Sequence, residues 1–141
     1  MTSDFSKDLR IFDNKAYIYL VLAGSFIMFA SSAMQFWCTN YLIQALHTPQ
    51  NMAFIYFGAV AITGPIVGAI LSAIITDRLG GYHSKKTLTF AFLVGLSIAI
   101  SSLIILLVQN IQTAIPLFWI CICNGALLFP IVIGIMLTKV R

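Results

Sequence analysis

Residues that could do chemistry are few in this chain, and the densest group lies in the segment 77–86. That segment reads Asp-Arg-Leu-Gly-Gly-Tyr-His-Ser-Lys-Lys, and Asp77 is the only carboxylate beyond Asp13. A carboxylate among basic side chains can form ion pairs, whereas acid–base or nucleophilic catalysis needs a second group placed to work with it. The chain has no acid pair, no Ser-His-Asp set and no phosphate-binding Gly loop ahead of a Lys. We therefore predict that it is not an enzyme.

The cysteines and histidines do not predict a metal site either. Cys38, Cys121 and Cys123 lie inside apolar runs, where a free thiol is typically a packing group. His47 falls in a short uncharged loop without an acidic neighbour, which favours a solvent-facing residue over a proton carrier. We expect no metal and no cofactor. Because the basic residues flank apolar runs instead of forming a stripe, we also expect no nucleic-acid partner.

Hydrogen-bonding side chains inside the apolar runs are the other chemically capable group. On a helical wheel Ser31, Gln35 and Thr39 share one face of the first run, and Asn124 lies near the middle of the last. Such a face predicts the lining of a cavity for a small-molecule solute. The alternative is that the hydroxyls bond back to carbonyls of their own helix, while the two amides bond neighbouring helices.

The composition predicts that these residues belong to a membrane protein. Of 141 residues, 60% are hydrophobic and 9% charged, which is typical of a membrane protein. Four apolar runs, at about 16–45, 51–76, 87–108 and 114–137, reach the roughly 20 residues that a spanning helix needs. Residues 1–15 form a polar tail or amphipathic segment. We predict an all-α, multi-pass integral membrane protein with four transmembrane helices, of which the third is a lipid-facing or scaffold helix.

The second run carries the strongest packing signal of the four. Small residues recur every four positions along it: Gly64, Gly68, Ser72 and Thr76. This seam, as we call those four residues, lets a neighbouring helix approach closely, or lets the chain self-associate if it stands alone. Pro65 predicts a kink in the same run, and Pro130 predicts a locally opened backbone in the fourth.

The segment 77–86, called the gate loop below, predicts a tight connection between two antiparallel helices. Gly80 and Gly81 can adopt the positive φ that ends a helix, and Ser84 can cap the next one. Asp77 stands at the negative end of its helix dipole and therefore needs a stabilising partner elsewhere. All eight Lys and Arg residues lie at this loop or at the chain ends. Their distribution predicts that both termini and the gate loop are cytoplasmic.

The gate loop resembles a motif of the major facilitator superfamily. There the loop after the second helix of each half reads Gly-x-x-x-Asp-(Arg or Lys)-x-Gly-x-(Arg or Lys)-(Arg or Lys). Matching positions in register are Asp77, Arg78 and Gly80; Ala73 replaces the leading Gly, and the basic pair is displaced to Lys85 and Lys86. The Gly-Gly-Tyr variant, with Thr-Gly-Pro at 63–65, is similar to protist transporters related to the Spinster-like branch.

The resemblance implies part of a secondary transporter that moves small solutes by alternating access, with the gate loop in the cytoplasmic gate. The chain would supply four helices of one six-helix half. Its charged opening favours helices seven to ten of the whole, and a genuine start at Met1 leaves the first half open. The remaining helices, or another copy, would complete the transporter. The alternative is a stand-alone four-helix membrane subunit with a scaffolding or regulatory role.

Overall fold

The computed structural model describes residues 15–140, and within that range all regular structure is helical. The helices are α1 (Lys15–Gln44), α2 (Gln50–Arg78), α3 (Lys85–Leu107) and α4 (Ile111–Val140). Each is long and apolar enough to cross a membrane. The predicted all-α fold with four spanning helices is confirmed. The polar tail predicted over 1–15 lies outside the described residues, apart from Lys15, which begins α1.

Polar residues lengthen the helices beyond the apolar runs that predict them. The structure continues α2 to Arg78, so that Asp77 lies in its last turn. It begins α4 at Ile111, because the side-chain oxygen of Asn110 accepts a 3.0 Å hydrogen bond from the backbone N–H of Gln112. Backbone groups at these two ends are satisfied by the side chain of Asn110 and by the hydrogen bond from the N–H of Leu79 to the carbonyl of Ile75, which hydropathy alone does not register.

The turn predicted inside the gate loop is confirmed in detail. Gly80 and Gly81 have φ values of +93° and +80°, a conformation that costs glycine nothing but strains other residues. Ser84 then caps α3, accepting a 3.2 Å hydrogen bond from the backbone N–H of Lys86. The connection between α2 and α3 is therefore short and conformationally defined.

The central helix of the bundle is α4. It packs against each of the other three helices, most extensively against α2, and α1 additionally contacts α2. One apolar cluster, which includes Leu42, Ala53 and Phe118, lies toward the two uncharged connections. A second, which includes Leu127 and Ile131, lies toward the gate loop. Every helix is thus positioned chiefly by its contact with α4.

The seam of α2 holds α4 at close range. All four of its residues are buried. A β-carbon at Gly64 would lie 3.0 Å from Cγ2 of Ile122, and one at Gly68 would overlap the carbonyl oxygen of Cys123. Because α4 already packs against the seam at Gly64 and Gly68, self-association of a lone chain through it would require α4 to move, and it stays a prediction.

A tyrosine ties α1 to α3 at the opposite end of the bundle from the gate loop. The Tyr41 hydroxyl lies 3.0 Å from the carbonyl oxygens of both Ile105 and Val108, and it can donate its one proton to either. These carbonyls stand at the end of α3, where the regular helix hydrogen bonds stop; that of Ile105 also accepts from the backbone N–H of Val108 at 3.2 Å. The Tyr41 ring also packs edge-on against Phe118, with centroids 5.9 Å apart. Tyr41 therefore fixes where α1 ends relative to α3 and α4.

Candidate functional site

A cavity of about 580 Å³ lies among the four helices. This volume is within the range of sites that hold small molecules, about 300 to 1,000 Å³. Most of the lining comes from α1 and α4: Phe26, Ile27, Met28, Ala30, Ser31, Met34 and Gln35, and Cys121, Ile122, Gly125, Ala126, Leu128 and Phe129. The remainder comes from Ala61 and Pro65 of α2 and from Gly95, Ile98 and Ser102 of α3.

Two of the four predicted cavity residues, Ser31 and Gln35, lie together in this lining. Gln35 is exposed and Ser31 is half-buried. Within residues 15–140 neither side chain makes a hydrogen bond, so the alternative bonds to helix carbonyls and neighbouring helices are not formed there. The hydroxyl of Ser102 donates to the carbonyl of Ala99 at 2.9 Å. The Gln35 amide, with two N–H donors and one acceptor oxygen, and the Ser31 hydroxyl are therefore polar groups of the cavity that are free to bind a ligand.

The other two predicted cavity residues lie elsewhere. Thr39 is half-buried on α1 and does not line the cavity. Asn124 does not line it either; its side-chain N–H donates a 3.0 Å hydrogen bond to the hydroxyl of Ser97 on α3. Ser97 in turn donates to the carbonyl of Val94 at 2.8 Å. The amide of Asn124 thus joins α4 to α3.

Pro65, predicted to kink α2, and Pro130, predicted to open α4 locally, both stand at the cavity, inside helices that continue past them. Pro65 lines it directly, and Pro130 follows the lining residue Phe129. A proline has no N–H, so Pro65 cannot donate to the carbonyl of Ala61, nor Pro130 to that of Ala126. Ala61 and Ala126 both belong to the lining. The prolines therefore place backbone carbonyls without their usual helix donor at residues that form the cavity wall.

The contribution of α3 to the cavity departs from the sequence prediction, which makes this helix lipid-facing or a scaffold. Its lining residues Gly95, Ile98 and Ser102 recur at i, i+3 and i+7, the spacing of one helix face. That face contains one hydroxyl and one glycine among apolar residues, so its signal in hydropathy is weak. The periodicity of the small residues Gly95 and Ser102 is the sequence signal that could have revealed it.

The charged side chains of the gate loop are exposed on the surface of the four-helix bundle. The four side chains of Asp77, Arg78, Lys85 and Lys86 are exposed, as is Gly80. In the described part of the chain none of the four forms an ion pair. Asp77 lies on a different face of α2 from the seam, in line with the exposed residues Ile66 and Ile70. Its carboxylate is thus presented away from α4.

Four apolar helices around a cavity, joined at one end by a charged loop, define a multi-pass integral membrane protein. A sequence profile of the Organic Anion Transporter Polypeptide (OATP) family matches residues 2–116, which include α1, α2, α3 and the start of α4. The chain belongs to this family of membrane transporters, itself part of the major facilitator superfamily. The resemblance is therefore confirmed at the level of the superfamily. No curated protein and no solved structure matches the chain.

Proposed function

We propose that this chain is part of a secondary transporter that carries organic anions, the solute class in the family's name, across a membrane by alternating access. The observation that carries the proposal is the cavity of about 580 Å³ with the unpaired amide of Gln35 in its wall. Keeping a polar group without a hydrogen-bond partner at membrane depth costs on the order of a few kcal/mol of free energy. A ligand that forms the missing hydrogen bond recovers part of that free energy. A relation to the Spinster-like branch and a protist source stay predictions.

The chemistry of the wall suits a solute with an apolar body and a few polar atoms. Phe26, Met34 and Phe129 offer aromatic and thioether surface to the body. The N–H groups of Gln35 can donate to a carboxylate or sulfonate oxygen, and its carbonyl oxygen can accept from a hydroxyl. The carbonyl of Ala126 is a further acceptor, because Pro130 has no N–H to donate to it.

Binding a full negative charge requires more hydrogen-bond donors and more positive charge than this wall supplies. No lysine, arginine or histidine is among the cavity-lining residues of the described chain. A desolvated anion would find only neutral donors here, chiefly the amide of Gln35 and the hydroxyl of Ser31, and these do not compensate for the loss of water. We therefore propose that the remaining helices of the transporter, or another copy, supply the opposite wall and the balancing positive charge.

The gate loop forms the cytoplasmic gate in this proposal, with both chain termini on the same side. The exposed carboxylate of Asp77 stands at the C-terminal end of α2, where the helix dipole disfavours it by about 0.3 to 1 kcal/mol. A partner with positive potential, such as the N-terminus of a helix outside the described residues, would reverse that penalty. Closing and opening this contact would expose the cavity to one side and then to the other.

The experiment that tests the proposal is uptake of labelled organic anions by vesicles that hold the chain joined to the helices of a complete transporter, with Gln35→Leu in the chain. This change keeps the approximate size of the side chain and removes both donors. The matched control is Gln44→Leu, an exposed residue of the same helix that does not line the cavity. We expect Gln35→Leu to raise KM or abolish saturable uptake, and Gln44→Leu to leave both unchanged. Absence of saturable uptake by the unaltered chain joined to the helices of a complete transporter would instead favour the scaffolding subunit.

A further inference from the structure

The ring of Tyr82, in the gate loop, lies flat against Gly134 of α4. A β-carbon at Gly134 would overlap Cδ1 and Cε1 of the ring and stand 2.7 Å from Cζ. The absence of a side chain at residue 134 is therefore a condition for this contact. Tyr82 remains 37% exposed, so the ring packs on the helix with one face and leaves the other open.

The backbone that carries Tyr82 is anchored to two other helices. The N–H of Gly81 donates to the carbonyl of Thr76 in α2 at 2.9 Å. The carbonyl of Gly81 accepts from the hydroxyl of Thr87 in α3 at 2.7 Å, and Thr87 is fully buried. Because Gly81 is held from both sides, the ring of Tyr82 cannot follow a displacement of α4 unless the loop moves too.

The contact falls just beyond the point where α4 is most easily bent. Pro130 lies one turn before Gly134 and cannot donate to the carbonyl of Ala126, and proline is the commonest cause of helix kinks. On the other side of Pro130 are cavity-lining residues, among them Ala126 and Phe129. Tyr82 therefore contacts the part of α4 that follows Pro130, and this contact restricts bending of that part relative to the cavity wall.

We infer that Tyr82 is a positioning residue that couples the gate loop to α4 through Gly134, so that the loop and the cavity helix move together. This role rests on the proposed function, since it links the two parts that alternating access must coordinate. Tyr82 does not touch the cavity, and its effect passes through α4.

A distance measurement tests the coupling without reference to transport. Spin labels on cysteines introduced at His83 and Leu137, both exposed, report the separation of the gate loop from the end of α4. The native cysteines can stay, because each is at most 5% exposed. We expect one narrow distance in the otherwise unaltered chain and with Tyr82→Phe, and a broad distribution with Tyr82→Ala and Gly134→Ala. If Tyr82→Ala does not fold, Tyr82→Leu removes the flat ring and keeps apolar volume. An equally narrow distribution without the ring would overturn the inference.

Transport kinetics test the consequence for function. Tyr82→Ala should lower the maximal uptake rate and leave KM unchanged, because the cavity wall is intact, while Tyr82→Phe should retain the full rate. A raised KM at an unchanged rate would overturn the positioning role. The two hypotheses fail separately: if the unaltered chain, joined to the helices of a complete transporter, moves no anion, the proposed function fails, whereas the label distances still decide whether Tyr82 holds α4.

Discussion

Gly68 faces the backbone carbonyl of Cys123 so closely that a β-carbon on Gly68 would overlap the carbonyl oxygen. The β-carbon of Ala126 would stand only 2.9 Å from the same position. A backbone carbonyl cannot swing aside as a long side chain can. The contact therefore fixes the spacing of α2 and α4 directly behind the cavity wall, to which Ala126 belongs.

Replacing Gly68 should destabilise the bundle even though alanine favours helices. We expect Gly68→Ala to lower the free energy of unfolding by about 1 to 3 kcal/mol, because overpacking must push two backbones apart. Gly58→Ala is the control on the same helix. A β-carbon there would meet nothing within 4 Å, so this variant should be unchanged or more stable by up to about 1 kcal/mol. Thermal unfolding in detergent measures both, and equal behaviour of the two variants would contradict the packing described.

The helices and their caps could be predicted because each depends on residues close in sequence. Apolar runs predict four spans, and Gly80, Gly81 and Ser84 predict the turn and cap that the structure contains. These features follow from local backbone energetics, which do not depend on which helix stands next to which. The seam could be recognised for the same reason, since its period of four is local.

The distribution of polar residues between cavity and interface could not be predicted. A helical wheel gives the face on which Asn124 or Thr39 lies, but it does not say whether a cavity or another helix stands opposite that face. In lipid the outward faces are as apolar as the packed ones, so hydropathy does not separate them. The bond from Asn124 to Ser97 depends on residues 27 positions apart in different helices. Only the assembled bundle reveals it.

Labelling with an impermeant thiol reagent tests the predicted topology. Cysteines are introduced singly at Gln50 and at His83, two exposed positions. Gln50 is the first residue of α2, and His83 lies in the loop that follows the other end of that helix. Because no Lys or Arg lies between 44 and 50 or between 108 and 111, the rule of positive cytoplasmic loops predicts that Gln50 faces outward and His83 inward. In intact cells Gln50→Cys should react and His83→Cys should not. Reaction of His83→Cys alone would reverse the assigned orientation.

Asp77→Asn tests whether the gate loop carboxylate has a partner outside the described residues. Removing a negative charge from a helix C-terminus should leave the stability of this bundle unchanged or raise it by about 0.3 to 1 kcal/mol. If Asp77 binds a positive helix end in the gate, the variant should nevertheless lose most of its transport at normal abundance. Surface abundance measured beside uptake separates these effects. Parallel losses of abundance and uptake would make Asp77 a folding residue instead.

The central claim is that α1 and α4 form one wall of a transport site whose other wall comes from further helices or another copy. Uptake of labelled organic anions into liposomes tests it most directly, with the purified 141-residue chain in one preparation and the chain joined to the helices of a complete transporter in the other. We predict saturable uptake in the second preparation and none in the first, because the Gln35 side of the cavity alone encloses no anion. Saturable uptake by the 141-residue chain as a monomer would contradict the claim.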